Sequence, residues 1–200
     1  MNHSFKKGLS RGIFICFIII IGVIIYSFYH SNDFGTNNTK ADIGGEFELV
    51  GKEGKKYTQD DFLGKPLLIF FGFVSCPDIC PYSLSVISEV IDGLENDKYK
   101  FNSVFVTLDP ERDNFDRTAE FVNLFHPNII GLSGSIEQID NIVKNWRVYK
   151  KKVELAGSEL DYSIDHSSFI YLMNQKGEYF SHFSHNADAE DIIKELVKLL

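Results

Sequence analysis

Cys76 and Cys80, in the stretch Val74-Ser75-Cys76-Pro77-Asp78-Ile79-Cys80-Pro81, are the residues whose types and spacing most plainly offer chemistry. If a helix starts near Pro77, which a first turn tolerates, thiols at i and i+4 face the same side. The partial positive charge at a helix amino terminus lowers a thiol's pKa and raises its thiolate fraction. A thiolate pair can then form a reversible disulfide or hold a soft metal ion. A static disulfide or two buried thiols is the structural alternative, and the spacing alone does not choose. Two thiolates with an imidazole suit copper, whereas structural zinc wants four ligands. The remaining cysteine, Cys16, lies in an apolar run and reads as one more apolar residue. Among the later histidines, His126 stands before Pro127 at a helix end, His182 points outward on a last strand and His185 lies in a turn. His166 sits in Ser163-Ile164-Asp165-His166-Ser167-Ser168, a polar stretch leading into an apolar strand. By position alone it reads first as a loop histidine.

The elements that must position these groups follow from periodicity. Leu67 to Val74, LLIFFGFV, is an unbroken apolar run with Pro66 before it and Pro77 soon after, the pattern of a strand buried on both faces. Leu84, Ile87, Val90, Ile91 and Leu94 then recur at helical spacing. Lys100 to Leu108 reads as a second strand, 114–125 as a helix that Pro127 stops, and Ile129 to Leu132 as a short strand. Ser135 caps a helix to about Trp146, with Gln138 placed to complete a capping box. Val148 to Leu155 alternates as a strand, and Phe169 to Met173 and Glu178 to Phe183 flank a hairpin turn at Asn174-Gln175-Lys176-Gly177. Asp188 to Leu200 is a closing amphipathic helix, and Glu46 to Val50 with Lys56 to Thr58 forms an opening hairpin. Strands alternating with helices, then a terminal hairpin, predict an α/β sheet with a mixed-direction edge. Chemistry in such sheets sits at the carboxyl ends of strands, here after Val74 and after Leu108.

Composition bounds the function. With 44% hydrophobic and 24% charged residues the chain is globular rather than disordered. A net charge of −8 argues against a nucleic-acid binder. Lys6, Lys7 and Arg11 are the only charged residues of the first 32, which leaves 17 basic against 28 acidic residues beyond them, a net of −11. From Gly12 to Asn32 there is no Asp, Glu, Lys or Arg, and the seventeen residues Ile13 to Tyr29 read IFICFIIIIGVIIYSFY. That length just suffices to cross a bilayer core, which takes about 20 residues at ~1.5 Å each. No small-residue cleavage site follows it, so residues 12–32 read as an uncleaved transmembrane anchor. The basic residues before the span put 1–11 in the cytoplasm and the rest outside. Eleven residues leave no room for a mitochondrial presequence, so the expected place is a bacterial inner membrane, single-pass, with the carboxy-terminal domain in the periplasm. Residues 33–44 read as a tether and 45–200 as the exported domain.

Together the segments GKPLLIFFGFVSCPDICP (64–81), FVTLDPERD (105–113), IIGLSGSIEQI (129–139), RVYKK (147–151) and DYSIDHSSFIYLMNQKGEYFSHF (161–183) resemble the Sco/SenC family, in the family's order and with its anchor. Those are membrane-anchored copper proteins of cytochrome c oxidase assembly. The resemblance implies a thioredoxin-like fold with an added amino-terminal β-hairpin. It implies one copper ion per domain, held by Cys76, Cys80 and, in the DHSS position, His166. Val74 and Ser75 stand where the family usually has Thr, a conservative departure.

Two absences separate the chain from other thioredoxin-like proteins. All five prolines lie at or before residue 127, so the usual cis-proline slot before Phe169 is empty of one. A peroxiredoxin-like site would carry Thr or Ser three residues before its reactive cysteine, where this chain has Phe73. Peroxide defence is therefore the weakest reading. The leading one is a metallochaperone that passes copper to the dinuclear centre of the oxidase's copper-bearing subunit, its own copper donor left open. The alternative is a thiol–disulfide reductase that uses Cys76 and Cys80 as a redox pair to keep that subunit's cysteines reduced. Three carboxylates flank the motifs. Asp78 either tunes the thiolates or favours the helix dipole, Asp109 either reaches the site or pairs with Arg112, and Asp165 either orients His166 or closes its turn.

Overall fold

The computed structural model describes residues 19–23, 26, 43–94, 100–157 and 160–200. The chain separates into two units, Met1–Lys40 and Ala41–Leu200. The expected anchor at 12–32 lies for the most part outside the described residues; of it, 19–23 and 26 are helical. Among the described residues no helix is long and apolar enough to cross a membrane.

The second unit is built around β3, Leu67–Gly72, every residue of which is buried, as the unbroken apolar run predicts. Before it come β1, Glu48–Val50, and β2, Lys56–Thr58, the expected hairpin. After it follow helix α1, Ile79–Gly93, strand β4, Asn102–Thr107, helix α2, Phe115–Asn123, and strand β5, Ile129–Leu132. Helix α3, Ile136–Asn145, leads to β6, Lys150–Glu154, and β7, Tyr162–His166. Strands β8, Phe169–Met173, and β9, Tyr179–Ser184, and helix α4, Ala189–Val197, close the chain.

Five strands form one sheet in the order β5-β4-β3-β8-β9. β3 pairs parallel with β4 and antiparallel with β8, so the edge is mixed as expected. The two-residue period of a strand sends its side chains alternately to two cores. Leu67, Ile69, Phe71 and Phe73 pack with Leu49, Ile139, Ile142 and Trp146, beneath α3 and the opening hairpin. Leu68 and Phe70 pack with Leu84, Ile87, Ile91, Val122, Ile192 and Leu196, beneath α1, α2 and α4. Each fully buried Phe here is worth about 1.5–3 kcal/mol of transfer free energy. Val50 and Ser133 exchange backbone hydrogen bonds of 2.7 and 2.8 Å, which docks the hairpin on the end of β5. The capping box at α3 is present: Ser135 Oγ accepts from Gln138 N–H, and Gln138 Oε1 accepts from Ser135 N–H.

Two local expectations fail. α1 starts at Ile79 rather than near Pro77, so only Cys80 is helical. The stretch before Phe169 is also not a loop, because Tyr162–His166 pairs antiparallel with β6 in a two-stranded ribbon. Only Ile164 of its five residues is buried, so the apolar signal is too thin to read as a strand. Asp161 in the left-handed region, φ 57°, turns the chain into it.

Candidate metal centre

The dithiol lies where the carboxyl end of β3 turns into α1. Cys76 N–H donates to the carbonyl of Phe73 at 3.2 Å, which folds the turn back and sets the Cys76 sulfur against the first residues of α1. Cys80 N–H then donates to Cys76 Sγ at 3.4 Å. The helix therefore stabilises a thiolate it does not itself carry, by an amino-terminal N–H rather than by a shared helical face. Cys76 is half-buried and Cys80 buried, and they are not joined in a disulfide. A hydrogen bond from the Cys80 thiol, above all, pulls the Cys76 pKa down to about 4, with His166 and the N–H groups of Cys80 and Asp78 adding to it against the cost of burial. The Cys80 thiol is pushed far up by that same bond, by burial and by the neighbouring thiolate. One proton is thus kept on the inner sulfur of the pair.

Room for that inner sulfur is left by Gly72. A Cβ there would lie 2.7 Å from Cys80 Sγ and 2.9 Å from the Phe105 ring. Gly72→Ala is expected to displace the Cys80 thiol and to lower stability by about 1–3 kcal/mol, as overpacking does. Chemical denaturation checks the second effect, and faster alkylation of Cys80 in the native protein checks the first.

His166 is the last residue of β7, and its Nε2 stands 3.8 Å from Cys80 Sγ. Its Nδ1 lies 3.0 Å from the carbonyl of Ser167; a carbonyl only accepts, so Nδ1 carries a hydrogen and Nε2 is the ring nitrogen turned toward the thiols. The ring is held edge-on by Phe73 and Phe70, at centroid distances of 5.9 and 6.4 Å. Metal–sulfur and metal–nitrogen bonds of about 2.3 and 2.0 Å put two donors of a tetrahedral ion roughly 3.5 Å apart. Among the described residues no group of three or more His, Cys, Asp or Glu side chains is placed so that it could hold a metal ion as it stands. The Cys80 sulfur and Nε2, 3.8 Å apart, are near that spacing, and Cys76 Sγ, held by the N–H of Cys80, is the donor that would have to close on them around a soft ion. Cys76 and His166 line a cavity of about 370 Å³ together with Phe73, Pro77, Asp78, Tyr149, Ile164 and Asp165, whereas Cys80 is fully buried and outside its lining. A cavity of about 300 Å³ beside α2 and β5, lined by Lys52, Tyr57 and Glu120 among others, holds none of these donors.

The three flanking carboxylates resolve differently. Asp78 is exposed, and its carboxylate makes no capping bond to α1; its backbone N–H, not its side chain, faces the Cys76 sulfur. Asp109 is buried in an ion pair with Arg112, Nε to Oδ2 2.5 Å, and accepts from Tyr162 Oη at 2.8 Å, so the ion-pair account holds. Asp165 is exposed and borders the same cavity as its neighbour His166, but the Nδ1 of that ring is held by Ser167 instead. Sequence reasoning passed over a fourth carboxylate, Asp113. It is fully buried, and its Oδ2 accepts from Val74 N–H at 2.9 Å and Thr107 Oγ1 at 2.7 Å. Burial pushes its carboxyl pKa up. Its only sequence signal was a place at the end of FVTLDPERD. Of the other histidines, His126 pairs with Asp92 at 3.4 Å, and His182 is exposed on β9 with Tyr179 Oη at 2.5 Å from its Nδ1.

A family model described as SCO1/SenC matches residues 35–200. The chain belongs to the SCO1/SenC family. The SCO2-like protein of Rickettsia prowazekii is 37% identical over 164 residues, 82% of this chain and 80% of that one. The mitochondrial SCO1 homolog 1 of Arabidopsis thaliana is 39% identical over 82% of this chain and 49% of its own. Among solved structures, Bradyrhizobium japonicum ScoI with copper bound superposes with a TM-score of 0.73 at 40% identity, covering 79% of this chain and 99% of that one. Yeast Sco1 with copper bound gives 0.71 at 34%, covering 78% and 87%. The thioredoxin-like Sco fold read from the sequence is therefore this chain's fold, with the opening hairpin β1–β2 in place.

Proposed function

We propose that this chain is a membrane-anchored SCO1/SenC protein that binds one copper ion through Cys76, Cys80 and His166 and delivers it to the dinuclear copper centre of cytochrome c oxidase during assembly. The observation that carries the reading is a half-exposed thiolate and an imidazole lining one cavity, with a buried second sulfur 3.8 Å from that imidazole. Soft sulfur favours Cu(I), and the imidazole accepts either oxidation state. The copper-bound ScoI and yeast Sco1 structures support copper as the cargo. BsSco, described as a member of the Sco family of cytochrome c oxidase assembly proteins, shares only the fold at 19% identity, so the oxidase role rests on the common family. The apolar run Ile13 to Tyr29, preceded by Lys6, Lys7 and Arg11, supports a single-pass anchor in a bacterial inner membrane with 45–200 in the periplasm.

The asymmetry of the two thiols favours a second, compatible reading. Cys76 Sγ attacks a disulfide of the recipient, forming a mixed disulfide and expelling one thiolate. Cys80 then gives up its proton and attacks Cys76 Sγ, closing the 76–80 disulfide and releasing the other recipient thiol. Two electrons pass to the recipient, which is left ready to take copper. The test loads the reduced full-length chain in detergent with one equivalent of Cu(I) and mixes it with the copper-free, reduced domain of the oxidase subunit. Copper found on the recipient domain once the two proteins are separated supports delivery. An empty recipient, together with reduction of that domain's disulfide form by the copper-free chain, gives the role to thiol exchange.

A further inference from the structure

The two halves of the site come from distant parts of the chain, and one short segment touches both. Between β4 and α2 the chain makes a tight turn in which Asp113 N–H and Arg112 N–H donate to the carbonyl of Asp109. On one side Asp113 takes the N–H of Val74, two residues before Cys76. Arg117 lies beside it, Nε 3.7 Å from Asp113 Oδ1, and reaches on to donate to Ser75 Oγ at 3.3 Å. On the other side Arg112 donates to the carbonyls of Leu160 and Tyr162 at 2.9 and 3.0 Å, with its guanidinium 3.7 Å from the centre of the Tyr162 ring. Tyr162 Oη donates to Asp109, and Lys152, paired with Glu111 at 2.6 Å, stands 3.8 Å from the same ring. Tyr162 opens the strand that His166 ends.

A buried carboxylate costs desolvation that a hydrophobic residue would avoid, and Asp113 recovers it through bonds to Thr107 and to the cysteine turn and through the Arg117 charge beside it. We propose that residues 109–117 are a bracket that fixes the spacing of the site, Asp113 and Arg117 positioning the turn of Cys76 and Arg112 with Tyr162 positioning the strand of His166. This rests on the copper reading above for its purpose, though not for its geometry. Groups that orient metal ligands without touching the ion typically account for about 10–100-fold in affinity. Asp113→Ala is expected to lose copper affinity in that range and to speed hydrogen exchange at the Val74 amide. Asp113→Asn, which keeps an oxygen for that amide, recovers most of both. Tyr162→Phe lowers copper affinity while leaving Val74 exchange unchanged, a split that general destabilisation would not produce.

The experiment uses the reduced full-length chain in detergent, with Cu(I) competition against a chelator and amide exchange read on the copper-free protein. A folded Asp113→Ala protein within about twofold of the parent in copper affinity, against the larger loss expected, overturns the bracket. So does unchanged Val74 exchange, which decides the matter even if the parent binds no copper and the copper reading itself falls. Should Asp113→Ala fail to fold, Arg117→Ala and Tyr162→Phe decide. Arg117 is half-exposed and Tyr162→Phe keeps the ring, so parental affinity in both overturns the proposal and a loss in either supports it.

Discussion

His166→Ala is expected to cost Cu(II) affinity at least about 100-fold, more than loss of an orienting group does, while Cu(I) affinity falls less because two thiolates still suit it. Among the described residues the imidazole is the one side-chain nitrogen donor lining the cavity, 3.8 Å from Cys80 Sγ, and its Nδ1 is already committed to Ser167. Asp109 is bound to Arg112 and Tyr162, and the two carboxylates that border the cavity, Asp78 and Asp165, are exposed oxygen donors, which suit a copper ion less well than an imidazole does. The measurement is metal titration of the reduced parent and variant, reading stoichiometry and the thiolate-to-Cu(II) absorption. Equal affinity in both proteins would remove His166 from the ligand set. Thiol exchange makes a different demand, since only Cys76 and Cys80 move electrons in it. A variant that no longer holds Cu(II) but still reduces a model disulfide, and still supports oxidase assembly, would favour the reductase reading.

The second large effect is in the pH dependence of Cys76. With its pKa held near about 4, this thiol is ionised throughout the neutral range. Its alkylation rate should stay nearly flat from about pH 5.5 to 8, where an ordinary thiol with a pKa of about 8.5 speeds up roughly 200-fold. The absolute rate at pH 8 will not be high, because nucleophilicity falls with pKa; flatness is the signature. The same shift bears on stability. Between the folded pKa and the ordinary thiol value the unfolded chain binds a proton that the folded chain does not, so stability rises with pH across that window. The contribution is complete above about pH 9 and is lost as pH falls toward about 4. Cys80 acts with the opposite sign at alkaline pH, because the folded state keeps a proton that the unfolded chain releases. Denaturation at pH 5 and pH 8 should show a smaller difference in Cys76→Ser than in the parent. A rate that climbs as steeply as that of a free thiol would refute the depressed pKa.

The fold was legible where a segment's own pattern decided its structure. The unbroken run at 67–74 announced a strand buried on both faces, and Ser135 with Gln138 announced the start of a helix. Both signals are local, a period or a cap that needs no distant partner. The ligand types were legible too, and family resemblance picked His166 out of the histidines. Distance along the chain hid the rest. Tyr162–His166 is a strand only because β6 lies beside it, and pairing between segments leaves little mark on five residues of which one is buried. The start of α1 at Ile79 was set by the back-folded turn on Phe73, so the Cys76 thiolate is stabilised by the helix end rather than carried on it. Asp113 looked like one more charge in a polar loop until the fold brought Val74, 39 positions away, to its carboxylate. The sequence by itself determined which donor types are on offer, two thiols at i and i+4 and an imidazole. Only the tertiary structure decided how close they stand, because that spacing is fixed by hydrogen bonds and burial between segments that no local pattern records.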